Sequence, residues 1–269
     1  MAAAVSAGKV LWLPEPATSW FIGSEVTMPD NLKMWGAGVA SLFTSSPTYP
    51  LKGANGVTGL DLRNFQIAGT YANNSNCGIT VLGSGSALYL DGLTVRDCGF
   101  SGIYASAALT DSIIRNTTVH HCGDMGIHFK DGSGNVLIED CLAYDFQNPQ
   151  YPPHPYYGSR CTGRITLRRC EGHTVSHLPN GYGGIQMFAC ADVVIEDCNM
   201  HHNRPPGEND GYGYIFNDGT NAALYRCIGT KAGYTGPCLD NYYTFYEAWN
   251  SPGVVTYDED CVGALRVAP

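Results

Sequence analysis

Charge is scarce in this sequence of 269 residues, and positive charge is the scarcer kind. Charged residues make up 14% of the chain, and 15 lysines and arginines stand against 24 aspartates and glutamates, which gives a formal net charge of -9. Nucleic acids are bound through clustered basic residues, so this acidic balance argues against a nucleic-acid partner. The hydrophobic fraction of 44% is too high for a disordered chain, and the length is sufficient for a sizeable core.

Three kinds of sequence signal are also missing. No run of about 18 apolar residues occurs, so a membrane partner is not expected. Residues 1–9 have neither the basic flank nor the apolar stretch of a signal peptide, and we expect a cytoplasmic or phage-particle-associated protein rather than one exported through a classical signal. None of the 11 cysteines has a partner at the two-residue spacing of a zinc knuckle, and no metal or cofactor is expected.

The sequence contains an internal repeat. Seven six-residue segments align without gaps, and their first residues are 28, 24, 24, 29, 28 and 29 positions apart. A second short segment recurs within the repeats, as in Ser101-Gly-Ile and Met125-Gly-Ile. The seven segments are Leu62-Arg-Asn-Phe-Gln-Ile, Leu90-Asp-Gly-Leu-Thr-Val, Ile114-Arg-Asn-Thr-Thr-Val, Ile138-Glu-Asp-Cys-Leu-Ala, Leu167-Arg-Arg-Cys-Glu-Gly, Ile195-Glu-Asp-Cys-Asn-Met and Leu224-Tyr-Arg-Cys-Ile-Gly. Short strands at a fixed period, with no helical pattern between them, predict an all-β solenoid.

The repeat also predicts the domain organisation. The whole chain, 1–269, is expected to form one domain. Residues 1–50 form its first coils, residues 51–240 form the regular coils, and residues 241–269 form a terminal coil or cap. Loop insertions are expected at 146–160, 177–183 and 203–213, where proline, tyrosine and asparagine are frequent.

Alternation along the aligned strands sorts the repeat positions into columns. The first position is always Leu or Ile, which predicts an interior column. Three residues later, Cys141, Cys170, Cys198 and Cys227 fall into a second interior column, and we interpret them as reduced packing cysteines. An outward column alternates in charge and is interpreted as a surface salt-bridge ladder: Arg63, Asp91, Arg115, Glu139, Arg168, Glu196 and Tyr225.

A different outward column supplies the candidate catalytic residues. Five successive coils contribute Arg96, His120, Tyr144, His173 and His201, and stacked coils are about 4.8 Å apart. The column itself contains no carboxylate. The same column is also explained by a stack of rings that supports the sheet and has no chemical role. A metal site built from His120, His173 and His201 would need a further ligand from a loop, because a straight column offers no tetrahedral arrangement.

Candidate substrate-binding residues come from the insertions and from the Gly-Ile strand beside them. Tyrosine, asparagine and histidine suit the apolar faces and hydroxyl rims of sugars, and loops on one edge of a solenoid commonly bind ligands. The strand contributes Tyr104, His128, Gln186 and Phe216 as an expected outward floor. The insertions contribute Tyr156, Tyr157, Asn180, Tyr182, Glu208 and Asp210.

Two segments carry a resemblance to a known superfamily. Residues 2–14, which end in Val10-Leu-Trp-Leu-Pro, and residues 24–38, which end in Leu32-Lys-Met-Trp-Gly-Ala-Gly, resemble the first coils of pectate-lyase-like proteins. The Gly-Ile and Ile-x-Asx-Cys rhythm from Leu60 to Cys227 is similar to their generic repeat. The resemblance implies a single-stranded right-handed parallel β-helix with about 24–29 residues per coil.

The same resemblance implies a carbohydrate-active protein with a polysaccharide or oligosaccharide partner. The superfamily includes polysaccharide lyases, uronan epimerases, polygalacturonase-like hydrolases, inulin-type fructotransferases and tailspike depolymerases. A homo-oligomer, a trimer if the chain comes from a phage, is the corresponding assembly. The clustered aspartates of the hydrolases, the Asp-Pro-His signature of mannuronan epimerases and the calcium-binding aspartates of pectate lyases have no counterpart here.

The favoured hypothesis is a polysaccharide lyase that cleaves a uronic-acid-containing glycan by β-elimination. Arg96 or a protonated histidine would neutralise the carboxylate, His120 or His173 would be the base, and Tyr144 would protonate the leaving oxygen. One alternative is hydrolysis or intramolecular glycosyl transfer by carboxylates, for which Glu171, Glu208 and Asp210 are available. The other is a non-catalytic glycan-binding or adhesin solenoid.

Overall fold

The computed structural model describes residues 9–15, 19–38, 42–45, 49–70, 76–146, 154–174, 182–202, 211–231, 245–247, 253–261 and 265–267. These residues contain 31 strands and no α-helix, so among them no helix could cross a membrane.

The strands alternate around the chain in a regular order. The first ten are β1 (Val10–Leu13), β2 (Trp20–Ile22), β3 (Val26–Met28), β4 (Lys33–Gly36), β5 (Leu42–Ser45), β6 (Leu51–Gly53), β7 (Val57–Thr58), β8 (Asp61–Arg63), β9 (Gln66–Ala68) and β10 (Ile79–Val81). The next ten are β11 (Gly85–Ser86), β12 (Tyr89–Asp91), β13 (Thr94–Arg96), β14 (Ser101–Ala105), β15 (Leu109–Arg115), β16 (Thr118–His120), β17 (Met125–Lys130), β18 (Gly134–Glu139), β19 (Leu142–Tyr144) and β20 (His154–Ser159). The last are β21 (Arg164–Arg168), β22 (Glu171–Thr174), β23 (Tyr182–Phe188), β24 (Asp192–Glu196), β25 (Asn199–His202), β26 (Gly211–Asn217), β27 (Ala222–Tyr225), β28 (Ile228–Lys231), β29 (Phe245–Glu247), β30 (Val255–Tyr257) and β31 (Leu265–Val267).

The strands form three parallel sheets, each receiving one strand per coil. Sheet 1 runs β1-β4-β8-β12-β15-β18-β21-β24-β27-β30, with β7 and β11 beside it. Sheet 2 runs β2-β5-β9-β13-β16-β19-β22-β25-β28, and sheet 3 runs β3-β6-β10-β14-β17-β20-β23-β26-β29-β31. Every neighbour in a sheet is the equivalent strand of the next coil. The parallel solenoid predicted from the repeat is confirmed.

The core is the interior of this stack. The first position of each repeat is at most 1% exposed: Leu62, Leu90, Ile114, Ile138, Leu167, Ile195 and Leu224. The second predicted interior column is buried as well, and its four cysteines form no disulfide. Cross-strand alternation therefore assigns these columns correctly, because each strand has one face inside and one outside.

A one-residue corner joins sheet 1 to sheet 2 and explains why cysteine recurs there. The corner residue has a positive φ, for example Asn116 (48°) and Asp140 (52°), which Asn and Asp tolerate better than most residues. The residue after the corner points inward. The Cys141 thiol donates to the carbonyl oxygen of Glu139 over 3.2 Å, and the Thr117 hydroxyl makes the equivalent bond to Arg115 over 2.8 Å. A small side chain with one donor fits this position.

The predicted salt-bridge ladder lies on the outer face of sheet 1. Arg115 contacts Asp91 at 3.0 Å, and Arg168 contacts Glu196 at 2.7 Å and Glu139 at 3.5 Å. These pairs join neighbouring coils, which confirms the interpretation of the column as a structural feature.

The insertions are narrower than expected. Residues 154–159 belong to β20, residues 182–183 begin β23 and residues 211–213 begin β26, so these parts of the predicted loops are strand. His154 pairs in register with Met125 of the preceding strand of sheet 3, and Tyr182 pairs with Gly211 of the following strand. Residues 147–153, 177–181 and 203–210 of the predicted insertions lie outside the described residues.

Candidate functional site

The five candidate catalytic residues form one continuous outward column on sheet 2, which we call the stripe. Backbone register pairs Arg96 with His120, His120 with Tyr144, Tyr144 with His173 and His173 with His201. All five side chains are half-buried. The residue directly before each stripe residue points into the core, as Val95, Val119 and Met200 do. The stripe is therefore held by strands that are packed against the core.

The middle of the stripe is a stack of a histidine on a tyrosine. The His120 and Tyr144 rings are nearly parallel, with their centres 5.0 Å apart. Nδ1 of His120 is 2.7 Å from Nδ1 of His121, and Nε2 of His121 is 2.6 Å from a carboxylate oxygen of Asp145. Burial and then the positive charge of a protonated His121 lower the pKa of His120. His120 is therefore a neutral imidazole at pH 7, able to accept a proton.

Arg96 is engaged at the lower end of the stripe. Its guanidinium forms an ion pair with Asp97, the residue that follows it in the corner between sheets 2 and 3. Asp97 has a φ of 57°, and Asp145, two coils further on, has a φ of 60°. These corners therefore carry carboxylates immediately beside the stripe.

The upper end of the stripe is built around a carboxylate that the sequence column did not include. Glu171 lies two residues before His173 in β22 and shares its outward face. Its Oε1 atom is 2.8 Å from Nε2 of His173 and 3.4 Å from Nε2 of His201. The two imidazole rings stack with centres 4.8 Å apart. Alternation along the strand places Glu171, one of the carboxylates considered for hydrolysis, on the same face as His173, because residues two apart share a face.

The His201 imidazole is held mainly neutral by its surroundings. Burial and the positive charge of a protonated His173 lower its pKa, and the nearby Glu171 carboxylate opposes that shift only in part.

Four of the candidate substrate-binding residues form a second column, on the outer face of sheet 3. Backbone register aligns Tyr104, His128, Tyr157 and Gln186. The His128 ring lies between those of Tyr104 and Tyr157, with centres 4.8 and 4.9 Å away. This packing leaves His128 only 5% exposed, and burial lowers its pKa to about 3. The column is an aromatic cluster in which Tyr104, Tyr157 and Gln186 remain partly accessible.

Two substrate-binding predictions are wrong in orientation. Tyr156 is fully buried, and its hydroxyl donates within the core to the carbonyl oxygens of Cys141 and Glu171 at 2.8 and 2.9 Å. Phe216 is 3% exposed and aligns with the inward Met187, whereas Ile215 aligns with Gln186. Tyr156 belongs to a strand and not to an insertion, and a one-residue difference in register places Phe216 on the inner face of sheet 3.

The other candidate residues fall in or beside the insertions. Tyr182 is the first residue of β23, and the structure describes only its backbone. Asn180, Glu208 and Asp210 lie outside the described residues.

Comparison with known proteins identifies the architecture. The family model described as a right-handed beta helix region matches residues 43–164, which is less than half of the chain. The A-module of a mannuronan C-5 epimerase from Azotobacter vinelandii is similar in structure, with a TM-score of 0.55 and 14% identity over 99% of this chain and 90% of that one. The chain is a right-handed parallel β-helix.

Two further solved structures share this β-helix fold. The pectate lyase Pel9A has a TM-score of 0.52 and 15% identity, over 97% of this β-helix and 72% of the lyase. The tailspike protein 2 of an Escherichia coli O157:H7 bacteriophage has a TM-score of 0.59 and 13% identity, over 96% of this chain but only 39% of the tailspike. No curated protein sequence matches the β-helix. At these identities the likeness establishes the fold alone.

Proposed function

We propose that this β-helix processes a polysaccharide, and that it is a lyase that cleaves a uronic-acid-containing glycan by β-elimination at the stripe. The observation that carries the proposal is the stack of His120 on Tyr144, in which the lowered pKa of the histidine leaves a neutral base beside a phenol. Solved structures of the same fold are named as a pectate lyase and a mannuronan C-5 epimerase, which supports a glycan as the substrate class.

The residues divide the reaction between them. His120 removes the proton from C5 of the uronate, the electron pair forms the C4–C5 double bond, and the bond from C4 to the glycosidic oxygen breaks. The Tyr144 hydroxyl donates its proton to that oxygen as it leaves. Proton exchange with water then restores the neutral imidazole and the phenol. Arg96, on the strand next to His120, places a positive charge beside the substrate carboxylate.

A panel of acidic and neutral polysaccharides tests this proposal. Elimination leaves an unsaturated, ultraviolet-absorbing sugar end, and hydrolysis leaves a reducing end without that absorbance. We expect absorbance to rise with an acidic glycan, and His120→Ala and Tyr144→Phe each to lower turnover by about 10²- to 10⁴-fold, because each removes one proton-transfer group.

Glu139→Gln and Arg168→Ala are the matched controls, because they change charge on the outer face of sheet 1, away from the stripe. Both should leave turnover unchanged. Reducing ends without absorbance would replace the lyase by a hydrolase or glycosyl transferase. Glycan binding with neither product would make the chain a binding or adhesin solenoid.

A further inference from the structure

The upper end of the stripe continues into a four-residue cluster on two adjacent strands. β22 and β25 each present two outward positions there, and backbone register pairs Glu171 with Asn199 and His173 with His201. All four side chains therefore lie on one face of sheet 2, at the corners of a rectangle with a side of about 4.8 Å between strands. The chemistry of this cluster differs from that of the stripe below it, because its donors converge on each other.

We propose that Glu171, His173, His201 and Asn199 form a binding site for a divalent transition-metal ion of the zinc type. One ligand atom from each of Glu171, His173 and His201 lies within 4.8 Å of the other two. Ligands about 2.0–2.1 Å from a tetrahedral ion are about 3.3–3.4 Å apart. The Glu171–His201 distance of 3.4 Å already meets that value, and the Glu171–His173 distance of 2.8 Å needs a small opening.

Asn199 supplies an independent observation. Its Oδ1 atom is shielded from solvent and has no hydrogen-bond partner within the part of the chain that the structure describes. A buried carbonyl oxygen without a partner costs free energy, so such an atom in a cluster of metal-ligating side chains indicates a missing donor or cation. Asn199 lies across the strand pair from Glu171, where its oxygen can bind the ion or accept a hydrogen bond from a water on it.

The donor set determines the class of ion. Two imidazoles and one carboxylate are typical of zinc, cobalt and other first-row transition metals, whereas calcium and magnesium prefer sites made of oxygen ligands. The side chains of Glu171, His173 and His201 are 45%, 30% and 27% exposed, so an ion bound there is open to solvent on one side. It could therefore take a water, hydroxyl or carboxylate oxygen as a further ligand.

The site needs no loop ligand, in contrast to the expectation from the histidine column alone. A column of one residue per coil gives a straight row of donors. Glu171 and Asn199 belong to the adjacent outward column, two residues earlier on the same strands, and they turn the row into a rectangle. His173 and Tyr144 are separated by 6.5 Å between ring centres, so the site adjoins the proposed lyase residues and is distinct from them.

Metal titration of the full chain tests the site without any glycan. Protein freed of metal by a chelator is titrated with Co²⁺, followed by visible absorbance, and then with Zn²⁺ against a chromophoric chelator. We expect one ion per chain, displacement of Co²⁺ by Zn²⁺, and no displacement by equal Ca²⁺. Glu171→Gln and His201→Ala should each weaken binding by more than the about 10- to 100-fold that loss of an outer-shell partner costs.

The control variants are Glu196→Gln, a carboxylate of the sheet 1 ladder, and His121→Ala, a corner histidine outside the cluster. Both should retain the affinity of the unchanged protein. All the altered side chains point outward, and thermal unfolding without metal checks that each variant is folded. Absence of stoichiometric binding, or binding that persists in both Glu171→Gln and His201→Ala, would overturn the proposal. Because no glycan is present, this result is independent of the proposed lyase activity.

Discussion

Asp124 is a buried acid whose replacement should stabilise the protein in a pH-dependent way. It lies at the end of the short corner between β16 and β17, and the residue is only 4% exposed. Its Oδ1 atom is shielded from solvent and lacks a hydrogen-bond partner among the residues that the structure describes. Burial raises its pKa from 3.8 to about 7.

The raised pKa sets both the sign and the size of the effect. A carboxyl group that is harder to ionise in the folded state makes its full contribution to the unfolding free energy below pH 3.8. That contribution is lost as the pH rises to about 7. The rise in pKa from 3.8 to about 7 corresponds to a loss of about 4 kcal/mol of unfolding free energy above pH 7. Asp124→Asn keeps the shape and removes the ionisation. We therefore expect the variant to match the unchanged protein near pH 4 and to exceed its unfolding free energy by up to about 4 kcal/mol at pH 8.

Denaturant unfolding at several pH values between 4 and 8 measures this difference. Asp140→Asn is the matched control, because Asp140 is exposed and pairs with Arg169 at 2.7 Å, which lowers the pKa of that carboxyl. Loss of the Asp140 charge should lower the unfolding free energy by about 0.2–1 kcal/mol above pH 4, whereas Asp124→Asn should raise it. A difference between Asp124→Asn and the unchanged protein that does not vary with pH would refute the argument that this carboxyl is desolvated.

Two further predictions concern the core. Burial raises the pKa values of Cys77 and Cys227 to about 12, so alkylation of the native protein should be slow. After denaturation without reductant, most of the 11 thiols should react; mass spectrometry counts the adducts, and extensive disulfides would contradict the packing interpretation. Tyr156→Phe should lower the unfolding free energy by about 0.5–1.5 kcal/mol, because it removes the hydroxyl bonds to two buried carbonyls, and should leave glycan turnover unchanged. Loss of turnover without loss of stability would indicate instead that Tyr156 contacts the substrate.

The sequence predicts the fold and the columns because the repeat has no gaps where sheets 1 and 2 meet. Each strand there begins at a fixed distance from the corner, so position alone assigns Ile138 and Cys141 to the interior and Tyr144 to the outside. After an insertion that distance is lost. Nothing in the sequence marks which residue begins β20 or how β26 aligns, so the pattern assigns Tyr156 to an insertion and Phe216 to the outer face, although both are buried.

The site was predictable only in part for a different reason. Column analysis finds residues that repeat from coil to coil, as His173 and His201 do. Glu171 and Asn199 replace Thr118 and Leu142 of earlier coils and share no residue type with them. Their relation to the histidines depends on side-chain reach across two strands, which a one-dimensional pattern does not contain. The burial of His128 likewise depends on two neighbouring rings closing over it.

The one-residue corner between sheets 1 and 2 separates a fixed edge of the molecule from a variable one. In seven successive coils from β8 to β28, the linker between the two strands contains only the corner residue and the inward residue that follows it. An added residue would break the hydrogen bond from the inward side chain to the carbonyl oxygen of the residue before the corner. The corner between sheets 2 and 3 has no such limit, and it ranges from four residues after β16 to longer segments after β19, β22 and β25. Chain length can therefore change on one edge without moving the strands that carry the histidines. Exchanging those segments would change the surroundings of the proposed catalytic surface and leave that surface itself unchanged.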